Sequence, residues 1–437
     1  MPADRCNVFF YPRRERTPLL AGELRLLPGM KGSVFQYSGD FLENPGAIAL
    51  DPLSLPLQPT EMVTVREGDS LIPDAFSDAG PDVWGRAVID RLARLERSSE
   101  FDYLLATGSN RAGALDFSVD MEKHEAVSAQ IDDLADIEVA IDQIQRKLPI
   151  EERLRHLLAL GTSVGGMRPK TIVEKDGQLW IAKFNARDEN FDAVSMEYAG
   201  MSLANRCGIA VPAIHKHQFQ DQRIALLVQR FDRESLDGGQ YGRIPYISAR
   251  TLLRGYAREI DGTVPSEYSY ILLAQVRRLT GQEETLGADL KELFRRMVFN
   301  ILIDNTDDHE RNHGFLHDGG WRLAPAFDIS SQLTALGYQA MKVGADDTHA
   351  TLANALSECE HFGLKREEAL ALINQLIDST AALPAAYREA GVDPERAAVV
   401  ARVRQNIVSA FRARPQSDQR AATKRQRTAV RRRPPKA

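Results

Sequence analysis

Seven consecutive residues, Asp307-Asp308-His309-Glu310-Arg311-Asn312-His313, carry two kinds of chemistry in one stretch. Read from His309 they spell H-E-x-x-H, which on a helix sets two imidazoles one turn apart for zinc, with a glutamate base between them. Read from Asp307 they spell D-x-x-x-x-N, the spacing at which a phosphoryl transferase presents a base and a magnesium-binding amide. The flanks separate the two. The zinc pattern needs a helix with an apolar back face, whereas residues 304–308 are a polar, turn-like lead-in and Gly314 follows the second histidine at once. Beyond it, Gly314-Phe315-Leu316-His317, Asp318-Gly319-Gly320 and Trp321-Arg322-Leu323-Ala324 read as a β-hairpin. The stretch is therefore expected on a loop entering a hairpin, with H-E-x-x-H zinc hydrolysis as the lesser alternative.

Phosphoryl transfer demands further parts, and each has a candidate. Asp307 would accept the proton of an attacking hydroxyl and Asn312 would bind Mg2+. After the hairpin, the aspartate of Pro325-Ala326-Phe327-Asp328 would be the second metal ligand; by itself it reads equally as the N-cap of a helix starting at Ile329-Ser330-Ser331. Upstream, Gly161-Thr162-Ser163-Val164-Gly165-Gly166-Met167-Arg168-Pro169-Lys170 is a glycine-containing turn able to bring backbone N–H groups, with Lys170 or Arg168, against phosphates. Trp180-Ile181-Ala182-Lys183-Phe184 sets a lysine within an apolar strand, from which it reaches the phosphates of ATP; the plainer reading makes Lys183 a solvent-facing strand residue. Glu197, on the following helix, can pair with it or be an ordinary exposed glutamate. A hinge is expected over residues 226–233, where the backbone of Gln229 and Phe231 would meet an adenine edge.

Short β-like runs and turn residues dominate from Val8 to about Phe117, including Gly22-Glu23-Leu24-Arg25-Leu26-Leu27, Gly32-Ser33-Val34-Phe35-Gln36-Tyr37 and Ala47-Ile48-Ala49-Leu50. Pro81-Asp82-Val83-Trp84-Gly85-Arg86 leads into a helical pattern over 87–95, and an acidic stretch, 120–142, fits one or two short helices. A further helix should end near Leu160. Strands follow at 171–173, 179–182 and 224–228, with a tight turn at Asp176-Gly177 and a helix from about 193 to 207. Past Ser248 the period turns helical, and Leu290, Leu293, Phe294, Met297, Val298 and Ile301 mark a buried face. The expected architecture is α+β and two-lobed. A β-rich subdomain (1–120) precedes a region with the phosphate turn and hinge (121–247), a helical lobe with the catalytic loop (248–411) and a basic tail (412–437).

The chain has 437 residues, 43% of them hydrophobic, enough for two or three domains with a large core. No apolar run approaches bilayer-spanning length and the N-terminus has no secretory pattern, so a cytoplasmic, membrane-free protein is expected. Cys6, Cys207 and Cys359 lie far apart, which argues against disulfides and thiolate metal sites. The net charge of −6 conceals a tail with ten basic residues against Asp418 alone, a local +9 that leaves −15 on the rest. With almost no apolar residues the tail cannot order itself, and it reads as an electrostatic arm for nucleic acid or an acidic partner, or as a solvated tail without one.

Jointly, Ser163-Val-Gly-Gly-Met-Arg-Pro-Lys170, Ala182-Lys183, Val228-Gln-Arg-Phe-Asp-Arg233, Asn305-Thr-Asp-Asp-His-Glu-Arg-Asn-His-Gly-Phe315 and Pro325-Ala-Phe-Asp328 resemble the HipA-like serine/threonine kinases, the toxin halves of type II toxin–antitoxin pairs. Pro81-Asp-Val-Trp-Gly-Arg86 and residues 103–117 resemble that family's N-terminal subdomain, and the likeness runs from about residue 20 to 400. The resemblance implies a protein-kinase-like fold and phosphorylation of a protein hydroxyl with ATP and Mg2+, family targets including aminoacyl-tRNA synthetases. It implies a helix-turn-helix antitoxin as partner, with operator DNA and the nucleoid within reach through it. By position, it implies Val164, Gly165, Gly166, Lys170, Lys183, Gln229, Phe231, His309 and Asp328 on ATP, Asn312 and Asp328 on the metal, and Asp307, Lys183 and His309 in catalysis. It further implies that Ser163 is autophosphorylated, which silences the enzyme. The charge argument for Ser163 stands independently, since a phosphate of about −2 beside Lys170 and Arg168 would occupy the place of nucleotide phosphates. Gln229 stands where an acidic hinge residue is expected, which a backbone adenine contact tolerates. A non-enzymatic corepressor on an antitoxin–DNA complex and a small-molecule kinase are the other readings.

Overall fold

Alternating apolar positions near the N-terminus build an antiparallel sheet in the computed structural model. The structure describes residues 3–413, apart from 94–97, 122–127, 160–165, 188–190, 221–222, 238–239 and 263–266. Strands β1 (Arg5–Phe10), β2 (Leu19–Leu26), β3 (Gly32–Tyr37), β4 (Met62–Val65) and β5 (Leu115–Ser118) pair in the order β4-β3-β2-β1-β5. Phe35, Phe76 and Phe117 meet edge-on at 5.1 and 5.3 Å between ring centroids and close the core beneath it. The run 47–50 is not the strand its composition suggests. The buried Tyr37 hydroxyl takes the Leu50 N–H at 2.9 Å and donates to the Leu55 carbonyl at 2.7 Å, so a side chain satisfies this backbone.

The second sheet carries β6 (Ala129–Gln130), β7 (Lys170–Lys175), β8 (Gln178–Phe184), β9 (Ile214–Gln218) and β10 (Ile224–Gln229), ordered β6-β7-β8-β10-β9. Asp176 and Gly177 turn β7 into β8 with φ of 53° and 65°, both left-handed, as a two-residue hairpin of this twist requires. A helix, Ala193–Arg206, packs on the sheet and is capped by Asp192, which accepts the Ser195 N–H at 2.9 Å. The hairpin β11 (Arg233–Leu236) and β12 (Gln240–Arg243) leads to β13 (Tyr246–Ser248), which pairs with β14 (Gly314–His317) and thence β15 (Trp321–Leu323).

Helices follow at Ala249–Asp261, Tyr270–Thr280, Glu283–Leu302, Arg366–Ser379 and Pro394–Arg412, with shorter ones between. The six periodic residues of Glu283–Leu302 named above are all buried. The last helix runs through Arg412, two positions into the expected tail once Ala413 caps it; residues 414–437 lie outside the described residues. Cys6, Cys207 and Cys359 are free and buried. Among the described residues no helix is long and apolar enough to cross a membrane.

Candidate active site

Strand alternation places Lys183 on β8 directly opposite Lys170, the first residue of β7. The Lys183 ammonium donates to Glu197 Oε1 at 2.5 Å and to Asp328 Oδ1 at 3.0 Å. One cation thus ties a strand, the helix Ala193–Arg206 and the segment after β15. Glu197 is 2% exposed, so it is neither a surface glutamate nor an unpaired one. Burial alone would discharge Lys183, but the Asp328 and Glu197 carboxylates outweigh it and hold its pKa above the ordinary value. Lys183 in turn holds Asp328 well below the usual carboxylate range, with Lys170 and Arg168 acting in the same sense. Burial raises the Glu197 carboxyl in spite of Lys183.

The residues after Asp328 form no helix, which sets aside the N-cap reading. Asp328 has φ 59°, a left-handed conformation that a short polar side chain tolerates better than a branched one. That backbone lies against the helix of Glu197 because Gly200 has no side chain: a Cβ there would stand 2.3 Å from the Ile329 carbonyl oxygen. Gly200 is a positioning residue the sequence reading missed. Its only sequence signal was a glycine one turn beyond Glu197, inside a helix where glycine is unfavourable.

Lys170 is 5% exposed, beside Gly166 at φ 126°, where a Cβ would lie 1.7 Å from the Lys170 ammonium. Burial and the adjacent Lys183 pull its pKa down to about 8, against the upward pull of Asp82, Asp328 and Glu197. Ser163, Val164 and Gly165 lie outside the described residues.

The helix Glu283–Leu302 is capped by Ile303, Asp304 follows in a left-handed conformation at φ 57°, and the chain then runs irregularly to a single 3-10 turn at Glu310–Asn312. The H-E-x-x-H residues are thus on a loop and a tight turn, not on a helix. His313 is buried with Nε2 3.1 Å from Asp308 Oδ2, while His309 caps the turn, its Nδ1 accepting the Arg311 N–H at 3.3 Å. Among the described residues no group of three or more His, Cys, Asp or Glu side chains is arranged to hold a metal ion. The two adjacent aspartates have opposite environments. Asp308 is buried and accepts from Tyr270 Oη, Asn300 Nδ2 (2.7 Å) and His313; burial would raise its pKa, but these partners hold it below the ordinary value. Asp307 is exposed, and what burial it has, with Asp328 and Asp308, raises its carboxyl above the ordinary value against His309 and Arg168. The Asn312 amide donates to the Asp307 carbonyl at 3.1 Å, fixing the loop so that base candidate and amide share one turn.

The segment 226–233, expected to be a hinge, is committed to contacts within the fold. The Gln229 N–H is committed to the Ala213 carbonyl at 2.8 Å, so an adenine donor contact from that nitrogen is excluded in this arrangement. Phe231 leans on Phe327, the residue before Asp328, at 5.6 Å between ring centroids. Arg230 and Arg233 both pair with the buried Asp232, at 2.7 and 3.0 Å, and donate to the carbonyls of Asn110, Arg111 and Gly113. These contacts fasten the hinge to the first subdomain.

The chain matches the family model described as HipA-like C-terminal domain over residues 162–383, and the model described as HipA N-terminal domain over residues 18–118. Two curated relatives carry the name "Putative kinase". One, from Haemophilus influenzae, is 26% identical over 207 residues, covering 39% of this chain and 53% of that protein. The other, Y4dM of Sinorhizobium fredii, is 25% identical over 318 residues, covering 69% and 73%. The chain thus spans about half the length of the first and nearly three quarters of the second. In fold it is similar to HipA of Shewanella oneidensis MR-1, solved as a toxin–antitoxin complex of HipA, HipB and its operator DNA, with a TM-score of 0.65, 19% identity and coverage of 92% and 96%. The family models span Lys183, residues 304–313 and Asp328 on one side and most of the antiparallel sheet on the other, and the chain, α+β in fold, belongs to the HipA family.

Proposed function

We propose that this protein is a serine/threonine protein kinase that uses ATP and Mg2+. The observation that carries this reading is the Lys183 ammonium held between Glu197 and Asp328, because it sets a cation for nucleotide phosphates beside a carboxylate suited to a metal. Magnesium prefers oxygen ligands and keeps several waters, so an amide and a carboxylate plus phosphates suffice, and Asn312 and Asp328 are a donor set that fits. Bound there, the ion would neutralise charge on the transferred phosphoryl group. Lys183 and Lys170 orient the nucleotide, and Phe231 offers its backbone and ring to the base. Asp307, exposed and with a raised carboxyl, accepts the proton of the attacking hydroxyl, while His309 lies beside it near the transferred phosphate.

Autophosphorylation at Ser163 would silence the site by placing about −2 of charge where nucleotide phosphates bind. A helix-turn-helix antitoxin is the expected partner, by analogy with the HipB named with the Shewanella protein, and an aminoacyl-tRNA synthetase is one candidate substrate. Incubation of the purified protein with MgATP followed by mass spectrometry should find phosphate on Ser163. No phosphate on any residue, and none transferred to a lysate protein, would overturn the kinase reading. The same assembly and the basic tail favour a second role as corepressor: deleting residues 413–437 should weaken DNA association of the complex and flatten its salt dependence.

A further inference from the structure

Three arginines spaced four residues apart, Arg250, Arg254 and Arg258, line one face of the helix Ala249–Asp261. All three turn to the first subdomain. Asp74, whose side chain is 1% exposed, receives Arg258 at 2.7 Å, Arg254 at 3.2 Å and Arg250 at 3.4 Å, and Glu67 pairs with Arg254 and Arg258. Four residues on, Asp78 accepts the Ser248 N–H and Ser248 Oγ, both at 2.7 Å, and the Thr251 hydroxyl at 2.8 Å. Ser248 is the N-cap of the arginine helix, so Asp78 adds a carboxylate where orphan N–H groups and the helix dipole favour one.

That helix start is stitched to the catalytic loop. Ala249 donates its N–H to the His313 carbonyl at 2.9 Å, Ser248 pairs with Gly314 across the ladder, and Arg250 Nε lies 3.9 Å from Glu310 Oε1. Glu310 begins the 3-10 turn that Asn312 ends. The short helix Asp74–Asp78 of the first subdomain therefore reaches both flanks of Asn312 through one intermediate element. Such a constraint is stiff, since it consists of multiply bonded carboxylates and not of a single surface ion pair.

We propose that Asp74 and Asp78 are positioning residues for the catalytic loop, so that the first subdomain is a working part of the phosphotransfer site and not an appendage to it. The inference rests on the reading of residues 304–313 as the catalytic loop. Its test does not need activity. Hydrogen exchange followed by mass spectrometry on the full chain should show residues 306–314 exchanging about tenfold faster in Asp78→Asn, with the distant helix Arg366–Ser379 unchanged. Arg250→Gln, which keeps both carboxylates and removes only one of the three arginines on Asp74, should give the same local effect more weakly. Where transfer is measurable, Asp78→Asn should lower kcat about tenfold and Arg250→Gln by less, both leaving the KM for ATP within about twofold. Unchanged exchange over 306–314, or a uniform rise across the chain, overturns the inference. A wild-type protein that transfers no phosphate, with the local exchange effect intact, overturns only the kinase reading.

Discussion

At the scale of single residues, the decisive contrast is between Asp307 and Asp308. Their sequence context is nearly identical, yet one side chain is exposed and the other is saturated by Tyr270, Asn300 and His313. Asp307→Gln is expected to lower kcat by about 10²- to 10⁴-fold, the usual share of a general base, without loss of stability. Labelled-ATP transfer with a thermal melt checks both parts. Asp308→Ala is expected to act differently, destabilising the protein by about 3 kcal/mol because three buried donors lose their acceptor. A urea unfolding curve matching wild type would refute that. Spacing identified Asp307 in the sequence; nothing local revealed that its neighbour anchors the loop.

At the scale of elements, the paired strands β7 and β8 set two lysines face to face, which gives the site a pH dependence. A lysine drawn down to about 8 is charged below that value and neutral above it. Affinity for ATP should therefore fall as pH rises through about 8, and Lys170→Met should be weaker at neutral pH and lack that inflection. Calorimetric titration with a non-hydrolysable ATP analogue from pH 6.5 to 9.5 measures it, and a flat wild-type profile would exclude Lys170 from the phosphates. The strands, their tight turn and the buried face of Glu283–Leu302 were legible because their periods are local. The run 47–50 was misread because Tyr37, ten or more residues away, satisfies its backbone.

At the scale of the whole molecule, buried charge joins the subdomains. Asp232 lies between Arg230 and Arg233, and Asp232→Ala should cost about 3–5 kcal/mol by leaving two buried guanidinium groups uncompensated. Differential scanning calorimetry would show the loss, and Tm unchanged within a degree would refute it. Asp51, fully buried with only one oxygen bonded, has its carboxyl pushed up to about 6. Because its folded value lies above the unfolded one, its contribution is present below about pH 4 and is lost as pH rises through about 6. The change is up to about 3 kcal/mol over those two pH units. Asp51→Asn should remove that component, seen as a smaller stability difference between pH 5 and pH 7.5 in urea titrations.

The sequence by itself determined the class of fold, the identity of Lys183, Asp307, Asn312 and Asp328 as candidates, and the loop character of the H-E-x-x-H stretch. Each of these depends on spacing, on turn chemistry or on neighbours within a few residues. Only the tertiary structure decided that Lys183 bridges Glu197 and Asp328, that Gly200 admits the Asp328 backbone, that the Gln229 N–H is already taken, and that Asp74 and Asp78 bind the start of the helix that touches Glu310 and His313. The physical reason is common to all four. They are contacts between groups far apart along the chain, where burial and hydrogen-bond satisfaction are set by which elements pack together, so the local pattern can suggest a partner but not fix it.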